Sequence, residues 1–278
     1  MAETFGVRLQ AHLRERGPLC VGIDPSRGLI EAWGRHDTVE GLEFFALAVL
    51  EAVIDTVAVI KPQVAYFERF GSQGFRVLER LLAEARDAHV LVVADVKRGD
   101  VGSTNDGYAE AWLGEASSLR ADAMTVSPYL GFDSLEPVFN LASSSGRGVF
   151  VLAATSNAEG RLIQDALTRD DTSVATSVLE QIRRRNQLED GLGAVGAVWG
   201  ATRGRPEFAL ETLNGPYLVP GVGSQGGTPE DVARIFERCP PGSVLATVSR
   251  AILQAGPERS GLRDAARRWR DDLAHALA

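Results

Sequence analysis

Val92-Val93-Ala94-Asp95-Val96-Lys97-Arg98-Gly99-Asp100-Val101-Gly102-Ser103-Thr104 begins as a buried strand and ends in alternating charge. Val90 to Ala94 is almost wholly β-branched or small and apolar, the pattern of a strand covered on both faces. Alternate residues of a strand share a face, so Asp95 and Lys97 project together. If that face lines a barrel, the pair stands at the C-terminal mouth, where the chemistry of such barrels collects. Asp100 follows, where the strand has become a loop. An acid–base–acid array is costly to bury, and a structural ion pair needs only two members. A solvated turn would account for the same residues without any chemistry, so the surrounding chain must decide.

Outward from this stretch the chain repeats one rhythm. Leu19 to Ile23, Val57 to Ile60, Ala121 to Val126, Gly148 to Ala153, Gly193 to Val198, Tyr217 to Val219 and Ser243 to Val248 read as further short apolar strands. Helical patterns cover Phe5 to Arg16, Gly71 to Ala88, Thr104 to Ser117, Leu135 to Ala142, Thr172 to Gln187, Pro206 to Leu213 and about Pro257 to Leu277. Thr38 and Thr228 are N-caps for helices running to about Val53 and Arg238. Eight strands alternating with helices predict parallel βα units closing into a (β/α)8 TIM barrel, a single domain over residues 1–278. An open doubly wound sheet is the alternative. It normally carries a glycine fingerprint after its first strand, and here that strand ends in Asp24-Pro25-Ser26.

Polar residues gather at one end of these strands: Asp24, Lys61, Asp95 with Lys97, Ser156 and Arg250. The opposite ends, Pro18, Val57, Val90, Gly148 and Gly193, are bland, which marks the C-terminal mouth as the working face. Each residue alone has an ordinary explanation, Asp24 as a turn residue, Lys61 as a solvated charge, Ser156 as a cap. Their joint placement carries the inference. Pro220-Gly221-Val222-Gly223-Ser224-Gln225-Gly226-Gly227 is a glycine-rich turn after the seventh strand, and Ser249-Arg250 follows the eighth. Loops at these two positions form the usual phosphate cradle of the barrel, with backbone N–H groups and a guanidinium fork as donors.

The bulk composition narrows the classes. With 278 residues, 45% hydrophobic and 24% charged, the chain suits one large α/β domain. Its 29 Lys and Arg against 37 Asp and Glu leave a formal charge of −8, which argues against nucleic-acid partners but permits a local basic pocket. Cys20 and Cys239 have no metal-ligand spacing and read as reduced structural thiols. His12, His36, His89 and His275 are scattered, so no metal site is expected. Met1 to Arg16 is polar and of mixed charge, unlike a signal peptide. The most apolar run, Val49 to Ile60, is interrupted by Glu51 and Asp55 and cannot span a bilayer. The expectation is a cytoplasmic protein without membrane partners.

Taken together, these residues resemble the orotidine 5′-phosphate decarboxylase family. The stretch Asp95 to Thr104 is similar to its Asp-x-Lys-x-x-Asp signature, and Lys61-Pro62-Gln63-Val64-Ala65-Tyr66-Phe67-Glu68 resembles its long-chain bacterial subgroup, type 2. The similarity runs in order from about Phe5 to Ile252. One departure follows Thr155-Ser156-Asn157, where the subgroup usually has Pro-Gly and this chain has Ala158-Glu159-Gly160.

The resemblance implies decarboxylation of orotidine 5′-monophosphate to UMP and carbon dioxide, the last step of de novo pyrimidine synthesis, with no metal or organic cofactor. It implies that Lys97 stabilises charge at C6 and delivers the proton, with Asp95 near the substrate carboxylate and Lys61 extending the charge network. It places Asp24 and Lys61 on the ribose and Ser156 on the pyrimidine edge. Gln225 and Arg250 would engage the phosphate side, with backbone donors at Gly221, Gly223 and Ser249. It further implies a homodimer with shared sites, Asp100 and Thr104 reaching into the neighbouring subunit. Asp100 capping its own helix is the alternative for that residue. Two other functions fit the pattern less well: a metal-dependent aldolase of the hexulose-phosphate synthase type, needing a further carboxylate beside Asp95, and a non-catalytic nucleotide-binding barrel.

Overall fold

A computed structural model describes residues 3–278. Eight strands, β1 (Leu19–Ile23), β2 (Val59–Pro62), β3 (Leu91–Arg98), β4 (Ala123–Val126), β5 (Gly148–Ala154), β6 (Val195–Trp199), β7 (Tyr217–Val219) and β8 (Val244–Val248), form a closed barrel in chain order. All neighbours are parallel, and the seam closes where β1 pairs β8 through Cys20–Thr247 and Val21–Val248. This closure excludes the open sheet and makes the fold a (β/α)8 barrel. No helix among the described residues is long and apolar enough to cross a membrane.

The strands divide their side chains between two cores. Outward residues such as Val21, Ile60, Val92 and Val151 pack under the surrounding helices. Inward residues, among them Cys20, Val59, Leu91, Val93, Phe150, Leu218 and Leu245, fill the barrel. Phe5, Leu9 and Leu13 of the helix Phe5–Arg16 join this inner cluster and close the N-terminal end of the barrel. The Phe5 ring meets Phe150 edge-on, centroids 6.0 Å apart. A Cβ on Gly148 would lie 2.1 Å from the Phe5 ring, so the strand must start with glycine for the plug to seat. The bland strand starts thus serve packing.

Several helices begin where cap chemistry places them. The Thr38 side chain accepts the Gly41 N–H and opens the helix Val39–Val53. Thr228 and Asp231 form a reciprocal capping box at the helix Pro229–Phe236. Three segments depart from expectation, the first being the helix expected over Thr104 to Ser117, which ends at Leu113 before Gly114. The strand expected to end at Ala94 continues to Arg98, with a register shift against β4. The helix expected over Pro206 to Leu213 is only a 3-10 turn, Leu210–Thr212. Phe208, Leu210 and Leu213 are all buried. On a helix at 100° per residue they would not share one face, and a flatter path buries all three. The short helices Arg27–Ala32, Ala65–Glu68, Arg161–Gln164 and Arg250–Leu253 are too brief to display a helical period in the sequence.

Candidate active site

Along β1, β2, β3, β4 and β8 the inward side chains turn from apolar to polar as the C-terminal mouth is approached, whereas β5, β6 and β7 present Leu152, Val198 and Leu218 to it. Cys20 is followed on the same face by Asp24 just beyond the strand, Val59 by Lys61 and Gln63, Val93 by Asp95, Ala123 by Thr125, and Leu245 by Thr247 and Ser249. These residues line a cavity of about 280 Å³ at the mouth, near the small end of small-molecule pockets. Three cations, Lys61, Lys97 and Arg250, face two carboxylates, Asp24 and Asp95. The cavity is therefore locally positive in a chain of net charge −8.

Asp95 is the hub. Its Oδ2 accepts from Lys61 Nζ at 2.8 Å and Gln63 Nε2 at 3.0 Å. Its Oδ1 accepts from Lys97 Nζ at 2.6 Å and the Thr125 hydroxyl at 2.9 Å. A carboxylate has about four lone-pair sites, so Asp95 is saturated. Burial alone would raise its pKa, but the two ammonium groups outweigh that and hold it well below the ordinary carboxylate value. Burial alone would likewise lower the Lys61 pKa. Asp95 and Asp24 outweigh it and keep Lys61 charged above the ordinary lysine range.

The two lysines differ in access. The Lys61 side chain is 6% exposed and Asp95 8%, whereas Lys97 is 43% exposed. Lys97 faces the open cavity while tethered by one ion pair. Its backbone is left-handed, φ +46°, so it reaches the cavity from an irregular strand end rather than by simple alternation. Asp24 Oδ1 is buried and has no hydrogen-bond partner among the described residues. Burying an acceptor without a donor is unfavourable, and Asp24 lines the cavity.

The other rim is built from loops. Ser156, after β5, donates to Gln225 Oε1 at 2.7 Å, bridging to the loop after β7. Thr202 donates to the Ser156 carbonyl at 3.2 Å. A Cβ on Gly200 would lie 2.8 Å from the Ser156 backbone, so glycine permits this approach. The Ala158-Glu159 departure folds as the 3-10 turn Ala158–Gly160, with Asn157 donating to Glu159 at 3.0 Å. Gly221, Gln225, Ser249 and Arg250 line the cavity wall.

Three of the residues singled out from the sequence lie elsewhere. The Gly223 N–H donates to Gly227 O at 2.8 Å, inside its own loop, and Gly223 is not on the cavity wall. Asp100 and Thr104 are also outside the cavity. Asp100 Oδ1 accepts from the Val101 N–H at 2.8 Å, and buried Asn105 braces the loop through the Asp100 and Ser134 carbonyls. The helix Ser103–Leu113 has no side-chain cap, so Asp100 does not cap it. Gln63, Thr125 and Thr247 line the cavity but were not singled out from the sequence. The period-two rule, continued past Lys61 and applied to β4 and β8, is the signal that finds them.

Among the described residues no three His, Cys, Asp or Glu side chains come together as a metal site. Cys20 and Cys239 are free thiols. Burial pushes both up to about 12, so they stay protonated.

Comparison with known proteins identifies relatives over nearly the whole chain. The profile of the orotidine 5′-phosphate decarboxylase / HUMPS family matches residues 17–265. The chain is 52% identical over 275 residues to the orotidine 5′-phosphate decarboxylase of Salinispora tropica, covering 99% of each chain. It is 50% identical over 275 residues to that of Streptomyces coelicolor, again covering 99% of each. A crystal structure of a candidate orotidine 5′-phosphate decarboxylase from Streptomyces avermitilis superposes with a TM-score of 0.95 at 49% identity, covering 99% of this chain and 96% of that one. With its barrel, signature and near-complete coverage in accord, the chain belongs to the orotidine 5′-phosphate decarboxylase / HUMPS family.

Proposed function

We propose that this protein decarboxylates orotidine 5′-monophosphate to UMP and carbon dioxide, with Lys97 as the proton donor to C6. The observation that carries the reading is the contrast between two lysines on one carboxylate, Lys61 buried and Lys97 open to the cavity. When the C6–carboxylate bond breaks, its electron pair stays on C6 in an orbital outside the ring π-system. An ammonium beside that carbon favours the developing anion more than the bound substrate, which is what lowers a barrier. C6 then takes a proton from Lys97 Nζ, and the amine recovers one from solvent.

The rest of the cavity fits a nucleotide. The unpartnered Asp24 oxygen would accept from a ribose hydroxyl. Ser156 would meet the pyrimidine edge, and Gln225, bonded to Ser156, and Arg250 on the cavity wall would engage the phosphate side. The aldolase reading is disfavoured by Asp95 itself, whose lone pairs are taken up by four donors and leave no oxygen for a divalent ion.

We also propose a homodimer with shared sites. Val101, Tyr129, Leu130, Leu162, Ile163 and Leu167 are exposed apolar side chains in the segments that follow β3, β4 and β5, adjacent strands of the barrel, Leu162 and Ile163 on the short helix Arg161–Gln164. Such groups are covered in many assemblies. Asp100 and Thr104 stand on the same side, outside their own cavity, where a neighbouring subunit's site would meet them.

A spectrophotometric assay with orotidine 5′-monophosphate, with and without EDTA, tests the reaction. Turnover unchanged by chelation is expected. Loss in EDTA restored by Mg²⁺ would favour the aldolase, and UMP binding without turnover the non-catalytic barrel. Lys97→Ala should abolish turnover while UMP still binds.

A further inference from the structure

Thr125 is buried on β4, and no role described above uses more than its contact with Asp95. Its hydroxyl oxygen lies 2.9 Å from the Lys97 backbone nitrogen and 2.9 Å from Asp95 Oδ1. The direction of both bonds is forced. An amide N–H only donates and an ionised carboxylate only accepts. The single hydroxyl proton therefore goes to Asp95, and a lone pair receives the Lys97 N–H.

Lys97 needs such an anchor. At φ +46° it occupies the left-handed region, which residues with side chains enter at a steric cost. The β3–β4 ladder breaks at this point: Ala94 pairs with Met124, and pairing resumes only at Arg98 with Val126. In a regular parallel ladder the intervening amide would find a β4 carbonyl. Here the Thr125 hydroxyl takes that place, and the Ser127 N–H returns to Arg98 O at 2.7 Å just beyond.

We propose that Thr125 is a positioning residue, whose one hydroxyl holds the Lys97 backbone in its left-handed turn and anchors Asp95, fixing ammonium and carboxylate relative to each other. The inference rests on the reading of Lys97 as proton donor. Gln63 and Lys61 also orient Asp95, but Thr125 alone among Asp95's four partners bonds the Lys97 main chain.

Thr125→Val fills the same space without the hydroxyl, leaving the Lys97 N–H without its acceptor and Asp95 one donor short. Thr125→Ser keeps both bonds. We expect kcat for Thr125→Val to fall on the order of tenfold to a hundredfold, the scale of a misplaced reacting group, while the Kd for UMP changes by less than about threefold. Thr125→Ser should stay within about threefold of the unmodified protein, because both bonds persist. A merely structural role would not separate kcat from UMP binding in folded protein. As a second readout, the Lys97 amide should exchange its hydrogen about fivefold faster in Thr125→Val and at the original rate in Thr125→Ser. Unchanged kcat together with unchanged Lys97 exchange in Thr125→Val would overturn the proposal. If the unmodified protein does not turn over orotidine 5′-monophosphate, the decarboxylase reading falls, and the Lys97 exchange decides the positioning claim by itself. If Thr125→Val does not fold, Thr125→Ala removes the hydroxyl without adding volume and carries the same measurements.

Discussion

Replacing Lys61 by methionine tests whether the buried half of the charge network is as dry as it looks. Methionine is unbranched and of similar length, so it can follow the lysine stem along the barrel interior. The change removes a 2.8 Å ion pair between side chains only 6% and 8% exposed. Deleting one partner of a buried pair typically costs about 3–5 kcal/mol, because the survivor is left charged and poorly solvated. Asp95 still accepts from Lys97, Gln63 and Thr125, which places the expected loss at the low end, about 3 kcal/mol. Urea unfolding of both proteins at one chain concentration and several pH values reads this out. Asp95 has a depressed pKa, so its contribution is present above its ordinary value of 3.8 and is lost as pH falls through the native value. Lys61 has a raised pKa, so its contribution is full below 10.5 and is lost as pH rises through the native value. The stability gap between the two proteins should therefore be widest between 3.8 and 10.5 and narrow at both extremes. A gap below about 1 kcal/mol, the scale of an exposed pair, or one that ignores pH, would refute this account.

Two further expectations concern substrate and assembly. Arg250→Ala should lower kcat/KM strongly for orotidine 5′-monophosphate but little for orotidine, which lacks the phosphate, since binding energy from a remote group is used at the reacting centre; equal losses on both would place Arg250 in another role. Lys97→Ala and Asp100→Ala should each be nearly inactive, yet random subunit exchange between them should restore activity to roughly a quarter of the sites, because each mixed dimer has one site free of both lesions. Verified heterodimers without recovery would show that Asp100 acts within its own chain.

The barrel was legible because its signals are local and repeated. Strand β7, Tyr217–Val219, and the helix Phe5–Arg16 fall where the apolar pattern puts them, and the Thr38 and Thr228 caps declare themselves in one residue. Asp24, Lys61, Asp95 and Lys97 could be grouped from strand ends alone, and they share one cavity. What stayed hidden depends on tertiary contact. The left-handed turn at Lys97 exists because β3 slips against β4, and nothing within Asp95-Val96-Lys97 announces it. The Gly223 amide looked available because a glycine turn exposes donors, but its acceptor, Gly227 O, comes from the fold of that loop. Gln63 and Thr125 are uncharged and did not stand out until Asp95 was seen between them.

Because Phe5, Leu9 and Leu13 stopper the lower end of the barrel, the working chamber is closed at that end and opens at the mouth. On the proposed reaction, product leaves by the mouth through which the nucleotide enters. Carbon dioxide released at C6 then has no exit through the stoppered end and leaves past a rim that includes the Ser156–Gln225 bridge. The same dead end admits water from the mouth, so on that reading a nucleotide seated there would also keep bulk solvent from the Lys97 ammonium during the proposed proton transfer.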